Sequence, residues 1–208
     1  MGSPRIAEEE APETRQRPRR APIVRSLQPK TREIRLHYIS YYGDITPFGM
    51  SNLRALVLAA REQGVDELTI CLASKGGDVD SGIATFNFLR HLPVPVINMH
   101  ADGNIASIAA TLLLAGKTRT ATPTSSFCLH QASYSEGQHQ GKRAPSTDLI
   151  SRPFRDILKW SDDQIAHRFT AEDFLFSPEQ AVDLGCVNEI KKLKFKPGDS
   201  IVDTRCIP

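Results

Sequence analysis

The sequence predicts a single α/β domain built on a mainly parallel β-sheet. Three apolar strand patterns alternate with three helix patterns between residues 33 and 115. Such alternation is typical of parallel strands joined by right-handed helical crossovers. Residues 68–73 are apolar almost throughout, as expected for a parallel strand that is buried on both faces. A chain of 208 residues is long enough for one well-formed core.

The first half of the chain shows the clearest element boundaries. Alternating residues from 34 to 40 predict a first strand. Thr46-Pro47 predicts an N-cap and first turn, and Gly64 marks the end of that helix. The following elements are expected as strand 67–73, turn 74–77, helix 79–92, strand 94–99 and an alanine-rich helix 105–115.

The second half predicts shorter elements. Two short strands are expected over 118–121 and 126–129, followed by an exposed polar loop over 132–147. Residues 148–168 have a helical pattern, which Pro153 is expected to break or kink. A last helix should begin at Ser177-Pro178 and end at Gly185, and a strand over 186–190 should close the fold.

Composition and charge divide the chain into three segments. Residues 1–30 contain five of the fourteen prolines and seven basic against four acidic residues, so we expect a flexible basic tail. The folded domain is expected over 31–192, with a C-terminal extension over 193–208.

Several partner classes are disfavoured by the sequence. The net charge of +2 is too small to argue for a nucleic-acid partner. No window approaches the length of a membrane span, and the N-terminus lacks the apolar segment of a secretory signal. The four cysteines have no metal-site spacing, so we expect reduced thiols in a cytoplasmic protein without a metal or other cofactor.

Two glycine-containing motifs indicate a candidate acyl-transfer site. Ser107 follows a strand and opens a helix, where backbone N–H groups favour developing negative charge. Taken alone, Ser107 is better explained as an ordinary helix cap or as a small serine in tight packing. Gly76-Gly77 follows a strand, and its N–H groups are candidate oxyanion donors, although a plain turn is the simpler interpretation.

A histidine and an acid complete the candidate set. His130 ends an apolar strand, and an imidazole there is well placed to act as a general base. We interpret the other histidines as surface or structural residues (His37, His91, His100, His139 and His167). Glu172-Asp173 adjoins an apolar run, and an acid there can orient an imidazole. On chemistry alone Asp156, Asp162 and Asp163 are rivals.

The ordered set S-x-G-G, G-x-x-A-S, H-Q and D-F-x-x-S-x-E-x-A resembles the proteolytic subunit of the Clp proteases, ClpP, over about residues 33–191. The resemblance implies a ClpP/crotonase fold, a spiral of βαβ units with a helical handle. It implies Ser107 as nucleophile, His130 as base and Asp173 as the third triad member, with Gly77 and Ile108 N–H groups as the oxyanion hole. It also implies a homo-oligomeric ring that cleaves unfolded polypeptides supplied by an ATP-driven unfoldase.

The sequence departs from the family pattern at positions that concern assembly. Lys75 stands where proline is usual, and Glu172 stands where arginine is frequent. The region between His130 and Asp173, which would form the handle, contains Pro153.

Three other functions therefore stay open. The chain can be an inert or weakly active ring subunit, a crotonase-type acyl-CoA enzyme that uses carboxylates, or a Ser/Lys-dyad hydrolase using Lys75 or Lys117.

Overall fold

The computed structural model describes residues 36–92, 96–134 and 138–204, and the predicted tail over 1–30 lies outside them. Within the described residues, eight strands form one sheet. They are β1 (Leu36–Tyr42), β2 (Glu67–Ser74), β3 (Val96–Ala106), β4 (Arg119–Ala121), β5 (Ser126–Leu129), β6 (Phe174–Phe176), β7 (Glu189–Ile190) and β8 (Ser200–Asp203). The main path runs β6-β5-β3-β2-β1-β8, and only the β5–β6 pair is antiparallel. The predicted α/β class with a mainly parallel sheet is confirmed.

Six helices connect these strands in the described part of the chain. They are α1 (Pro47–Glu62), α2 (Val79–His91), α3 (Ile108–Leu113), α4 (Ser146–Leu158), α5 (Asp162–Arg168) and α6 (Pro178–Asp183). Helix α1 begins where the sequence predicts, because the Thr46 hydroxyl accepts a hydrogen bond from the Gly49 N–H at 3.0 Å. Gly64 follows its end with a φ of +70°.

Strand β3 is longer than predicted and pairs with more than one neighbour on the same side. Its middle, Met99–Ala101, pairs with β4, and its end, Asn104–Ala106, pairs with β5. The prediction that a helix begins at Ile105 is wrong, because Ile105 and Ala106 still belong to β3. The helix begins only at Ile108, so Ser107 lies at the junction between strand and helix.

The core lies between the sheet and its helices. Every residue of α3 is buried, which explains why this segment is apolar and alanine-rich. Helix α3 packs against both α2 and α4. The buried Thr111 hydroxyl donates a hydrogen bond to the Ile150 carbonyl of α4 at 2.8 Å, so this polar group has a partner in the core.

Helix α4 continues through Pro153, so this proline does not break the helix, and the predicted helical region 148–168 is divided further along, between α4 and α5. Proline removes one backbone donor, but packing on α2 and α3 holds the helix. The helix ends instead at Lys159, whose φ is +61°. Ala132 and Ala144, at the two ends of the expected exposed loop, are buried and joined by a 2.7 Å backbone hydrogen bond.

The C-terminal segment adds a strand to one edge of the sheet. β8 pairs in parallel with β1, and the Phe195 ring meets the Tyr38 ring edge to face at 4.9 Å. Three cysteines, Cys71, Cys128 and Cys186, are buried and unpaired, whereas Cys206 lies outside the described residues. None of the described helices has the length and apolar character needed to cross a membrane.

His100 is a buried histidine in the middle of β3. Its Nδ1 lies 2.7 Å from the Thr120 Oγ1, whereas its Nε2 has no hydrogen-bond partner among the described residues and lies 3.9 Å from the Asp102 carboxylate. Burial lowers the pKa of His100, and this effect outweighs the opposing influence of Asp102. The neutral imidazole is therefore the form that the fold accommodates.

We expect the free energy of unfolding to decrease as the pH falls below about 6.5, the ordinary pKa of histidine. The unfolded chain binds a proton there that folded His100 excludes, so acid favours unfolding. Burial also lowers the pKa of His37, which adds to the effect. In urea titrations between pH 7.5 and 5, His100→Asn should reduce the pH dependence, whereas His139→Asn, at an exposed position, should not. An unchanged pH dependence in His100→Asn would contradict this assignment.

Candidate active site

Ser107 has a backbone conformation that is unusual for a residue with a side chain. Its φ is +56° and its ψ is −131°, and only Lys159 shares a positive φ among the described non-glycine residues. The Ser107 N–H donates to the Cys128 carbonyl at 3.0 Å, and its carbonyl accepts from the Ala110 N–H at 3.0 Å. Its hydroxyl caps no helix N–H. The interpretation as an ordinary N-cap is therefore wrong, and the strained junction presents a half-buried hydroxyl.

The Gly76-Gly77 turn brings backbone directly against this serine. A Cβ on Gly76 would lie 2.7 Å from the Ser107 Cβ, and Gly76 has a φ of +98°. A Cβ on Gly77, whose φ is +142°, would collide with the Ile45 carbonyl oxygen. Both positions therefore require glycine, for contact as well as for conformation.

Hydrogen bonds fix the shape of this turn. Ile45 N–H donates to the Gly76 carbonyl at 2.7 Å, and Asp78 N–H donates to the Ile45 carbonyl at 2.8 Å. The Ser74 hydroxyl accepts from the Gly76 N–H at 3.1 Å. We did not predict this role of Ser74, although a serine two residues before a glycine is a common turn signal.

Two backbone N–H groups near Ser107 are left without protein acceptors. The Gly77 N–H donates to no group in the described part of the chain. Ile108 is the first residue of α3, where a helical N–H has no intrahelical acceptor. The Ile108 side chain is buried and packs on Gly82. These are the two predicted oxyanion donors, and both belong to segments that meet at Ser107.

His130 lies just beyond the end of β5, the strand that pairs with the end of β3. Its Nδ1 lies 2.7 Å from the Gln131 carbonyl oxygen. A carbonyl can only accept a hydrogen bond, so Nδ1 carries the proton and Nε2 carries the lone pair in the neutral ring. Nε2 is thus in the form that a general base requires.

Asp173 lies opposite His130 in the antiparallel pairing of β5 with β6. The last register pair is Leu129 with Phe174, and His130 and Asp173 occupy the next position. Asp173 is exposed, and its carboxylate lies near enough to the Cys128 thiol to influence it electrostatically. Burial first, and then this carboxylate, raises the pKa of Cys128 to about 11. The thiol is therefore protonated at neutral pH.

The sheet brings Ser107, His130 and Asp173 to one edge but does not join their side chains in a hydrogen-bonded triad. Among the described residues, no hydrogen bond joins Ser107 to His130 or His130 to Asp173. The Nδ1 of His130 lies against a backbone carbonyl, and the Asp173 carboxylate acts electrostatically on the nearby Cys128 thiol. The apolar strand context of Cys128 indicates only a buried thiol, so its position near Asp173 was not predicted.

The two lysines considered for a dyad occupy very different places. Lys117 N–H donates to the Ile97 carbonyl at the start of β3, the end opposite to Ser107. With about 3.3 Å per strand residue, this excludes Lys117 as a partner of Ser107. Lys75 is exposed and adjoins Gly76, but makes no hydrogen bond or ion pair in the described part of the chain.

Known proteins resemble this chain in sequence and in fold. The family model described as Clp protease matches residues 30–194. An ATP-dependent Clp protease proteolytic subunit from Deinococcus radiodurans is 27% identical over 150 residues, which cover 65% of this chain and 70% of that protein. The solved structure of a mutant ClpP1 from Listeria monocytogenes has a similar fold, with a TM-score of 0.66 and 24% identity, over 78% of this chain and 94% of that one.

The fold and the family match define a serine-type peptidase. Since the family model covers well over half of the sequence, the chain belongs to the Clp protease family.

Gly76→Ala should impair the site, and the matched control is Gly198→Ala. The two glycines have φ values of +98° and +96°, but a Cβ meets Ser107 at the first and nothing within 4 Å at the second. Both variants carry the conformational cost of about 1–2 kcal/mol. Only Gly76→Ala should slow fluorophosphonate labelling of Ser107, by at least tenfold. Equal slowing in both variants would contradict the importance of the close approach.

Proposed function

We propose that this protein hydrolyses peptide bonds through an acyl-enzyme formed on Ser107. The observation that carries the proposal is the strained strand-to-helix junction at Ser107, packed against the Gly76 backbone. Strain of this kind persists where the surrounding structure enforces it, and it is frequent at nucleophiles. Unfolded polypeptides and short peptides are the proposed substrates.

In the proposed reaction His130 Nε2 takes the Ser107 hydroxyl proton as Oγ attacks the substrate carbonyl carbon. The carbonyl oxygen becomes an oxyanion, and the Gly77 and Ile108 N–H groups stabilise it. Collapse breaks the C–N bond, and His130 returns the proton to the departing amine. Water then repeats the sequence and releases the acid product.

Asp173 is the proposed third member of the triad. It supports the imidazolium once Nδ1–H turns from the Gln131 carbonyl to the carboxylate, and the two residues are cross-strand neighbours. In the structure His130 Nδ1 lies against the Gln131 carbonyl and has no hydrogen bond to Asp173. This observation favours a second candidate function, an inert or weakly active ring subunit. A crotonase-type acyl-CoA reaction has less support, because the family match is to Clp proteases.

The assembly and its setting are part of the proposal. Clp protease family members generally form oligomeric rings that work with ATPases, and the similar Deinococcus protein is named as the proteolytic subunit of an ATP-dependent protease. We therefore propose a homo-oligomeric ring that receives polypeptides from an ATP-driven unfoldase. The three buried free thiols support a reducing compartment, the cytoplasm.

Ser107→Ala should reduce hydrolysis of a fluorogenic peptide by at least about 10³-fold, because the nucleophile is lost. Fluorophosphonate labelling, followed by mass spectrometry, should modify Ser107 in the wild type and nothing in the variant. Ser51→Ala, an exposed serine on α1, is the control and should retain full activity. Labelling of another residue, or equal rates in Ser107→Ala and wild type, would refute the mechanism.

Light scattering should give a solution mass that is a multiple of the 23.0 kDa subunit. The same mass is expected for Ser107→Ala, because that substitution removes one half-buried hydroxyl and no contact surface. A monomer at micromolar concentration would contradict the ring, while leaving the chemistry at Ser107 to the labelling experiment.

A further inference from the structure

A second feature adjoins the Gly76-Gly77 turn and has no role in the mechanism proposed above. It is a pocket of about 290 Å³ at the carboxyl ends of β1, β2 and β3. Its wall is formed by seven residues: Tyr42, Gly43, Asp44, Ala73, Ser74, Lys75 and Asn104. We call it the Lys75 pocket.

The Lys75 pocket lies close to the reacting serine. Lys75 is bonded to Gly76, whose backbone touches Ser107, and Asn104 precedes Ser107 by three residues on β3. Consecutive Cα atoms are about 3.8 Å apart. A substrate held at Ser107 therefore brings a side chain within one or two residues of the scissile bond to the mouth of this pocket.

The pocket offers a cation that no acidic group neutralises within the described part of the chain. Lys75 is exposed and forms no ion pair among the described residues, including with Asp44, which lines the same pocket. The Asn104 Oδ1 accepts from the Ser126 hydroxyl at 3.3 Å, so the amide NH₂ of Asn104 remains a donor. An ammonium and an amide donor together suit a carboxylate.

We infer that the Lys75 pocket is a substrate subsite that prefers an acidic side chain near the scissile bond. The inference rests on the proposed peptidase function. The Lys75 ammonium attracts an acidic substrate side chain, and the Asp44 carboxylate repels it. Because both side chains are exposed to water, the preference for glutamate over glutamine should be only about two- to fivefold. It should also weaken at high ionic strength.

The test compares fluorogenic peptides that carry Glu or Gln at each of the two positions on either side of the scissile bond. The ratio of kcat/KM values for Glu and Gln is measured in wild type, Lys75→Gln, Lys75→Glu and Asp44→Asn. At one position or more, the ratio should exceed one in wild type, fall to about one in Lys75→Gln and fall below one in Lys75→Glu. It should rise in Asp44→Asn.

Lys117→Gln is the matched control, since Lys117 is also exposed but lies at the opposite end of the sheet. Its ratios should equal those of wild type, and 0.5 M NaCl should bring all ratios toward one. Ratios that do not respond to either Lys75 substitution at any position overturn the inference, while the peptidase function stands. If hydrolysis persists in Ser107→Ala, the proposed function itself fails, and the subsite fails with it.

Discussion

The contact between the Gly76 backbone and Ser107 is the constraint on which the site depends. A residue with a positive φ at the end of β3 is costly, and it is maintained because neighbouring chain surrounds it. The Ser107 N–H is held by the carbonyl of Cys128, and Gly76 occupies the space that any side chain would need. The same contact places Gly77, the next residue, close to the serine along the chain. The proposed nucleophile and the proposed oxyanion donor thus depend on one packing requirement.

The length of β3 then decides which residues surround that serine. Because β3 pairs first with β4 and further along with β5, its last residues lie beside the end of β5. His130 follows β5 directly, and the antiparallel register of β5 with β6 sets Asp173 opposite His130. Residues separated by more than sixty positions in sequence lie in one region because the ends of β3 and β5 and the start of β6 are neighbours in one sheet.

Most of the fold could be predicted because its elements have strong local signals, such as the Thr46-Pro47 start of α1. Predictions failed where tertiary contacts outweigh local patterns. Ile105 and Ala106 are as compatible with a helix as with a strand, and pairing with Ser74 of β2 and with Phe127 and Cys128 of β5 extends β3 through them. The candidate site residues followed from ordered motifs. The strain at Ser107 and the proximity of Cys128 to Asp173 could not be predicted, because both depend on register across strands.

The register of β5 with β6 also determines which hydrogen bonds must change before the proposed triad can form. Antiparallel pairing places Cys128, His130 and Asp173 on one face of β5 and β6, so the carboxylate has two available donors on that face. One is the Cys128 thiol, which is protonated because burial and Asp173 raise its pKa to about 11; the other is the Nδ1–H of His130. The His130 imidazole can donate its Nδ1–H to Asp173 only if it breaks the hydrogen bond to the Gln131 carbonyl. A carboxylate can accept both donors at once. Activation of the proposed triad therefore requires the Nδ1–H of His130 to exchange the Gln131 carbonyl for the Asp173 carboxylate.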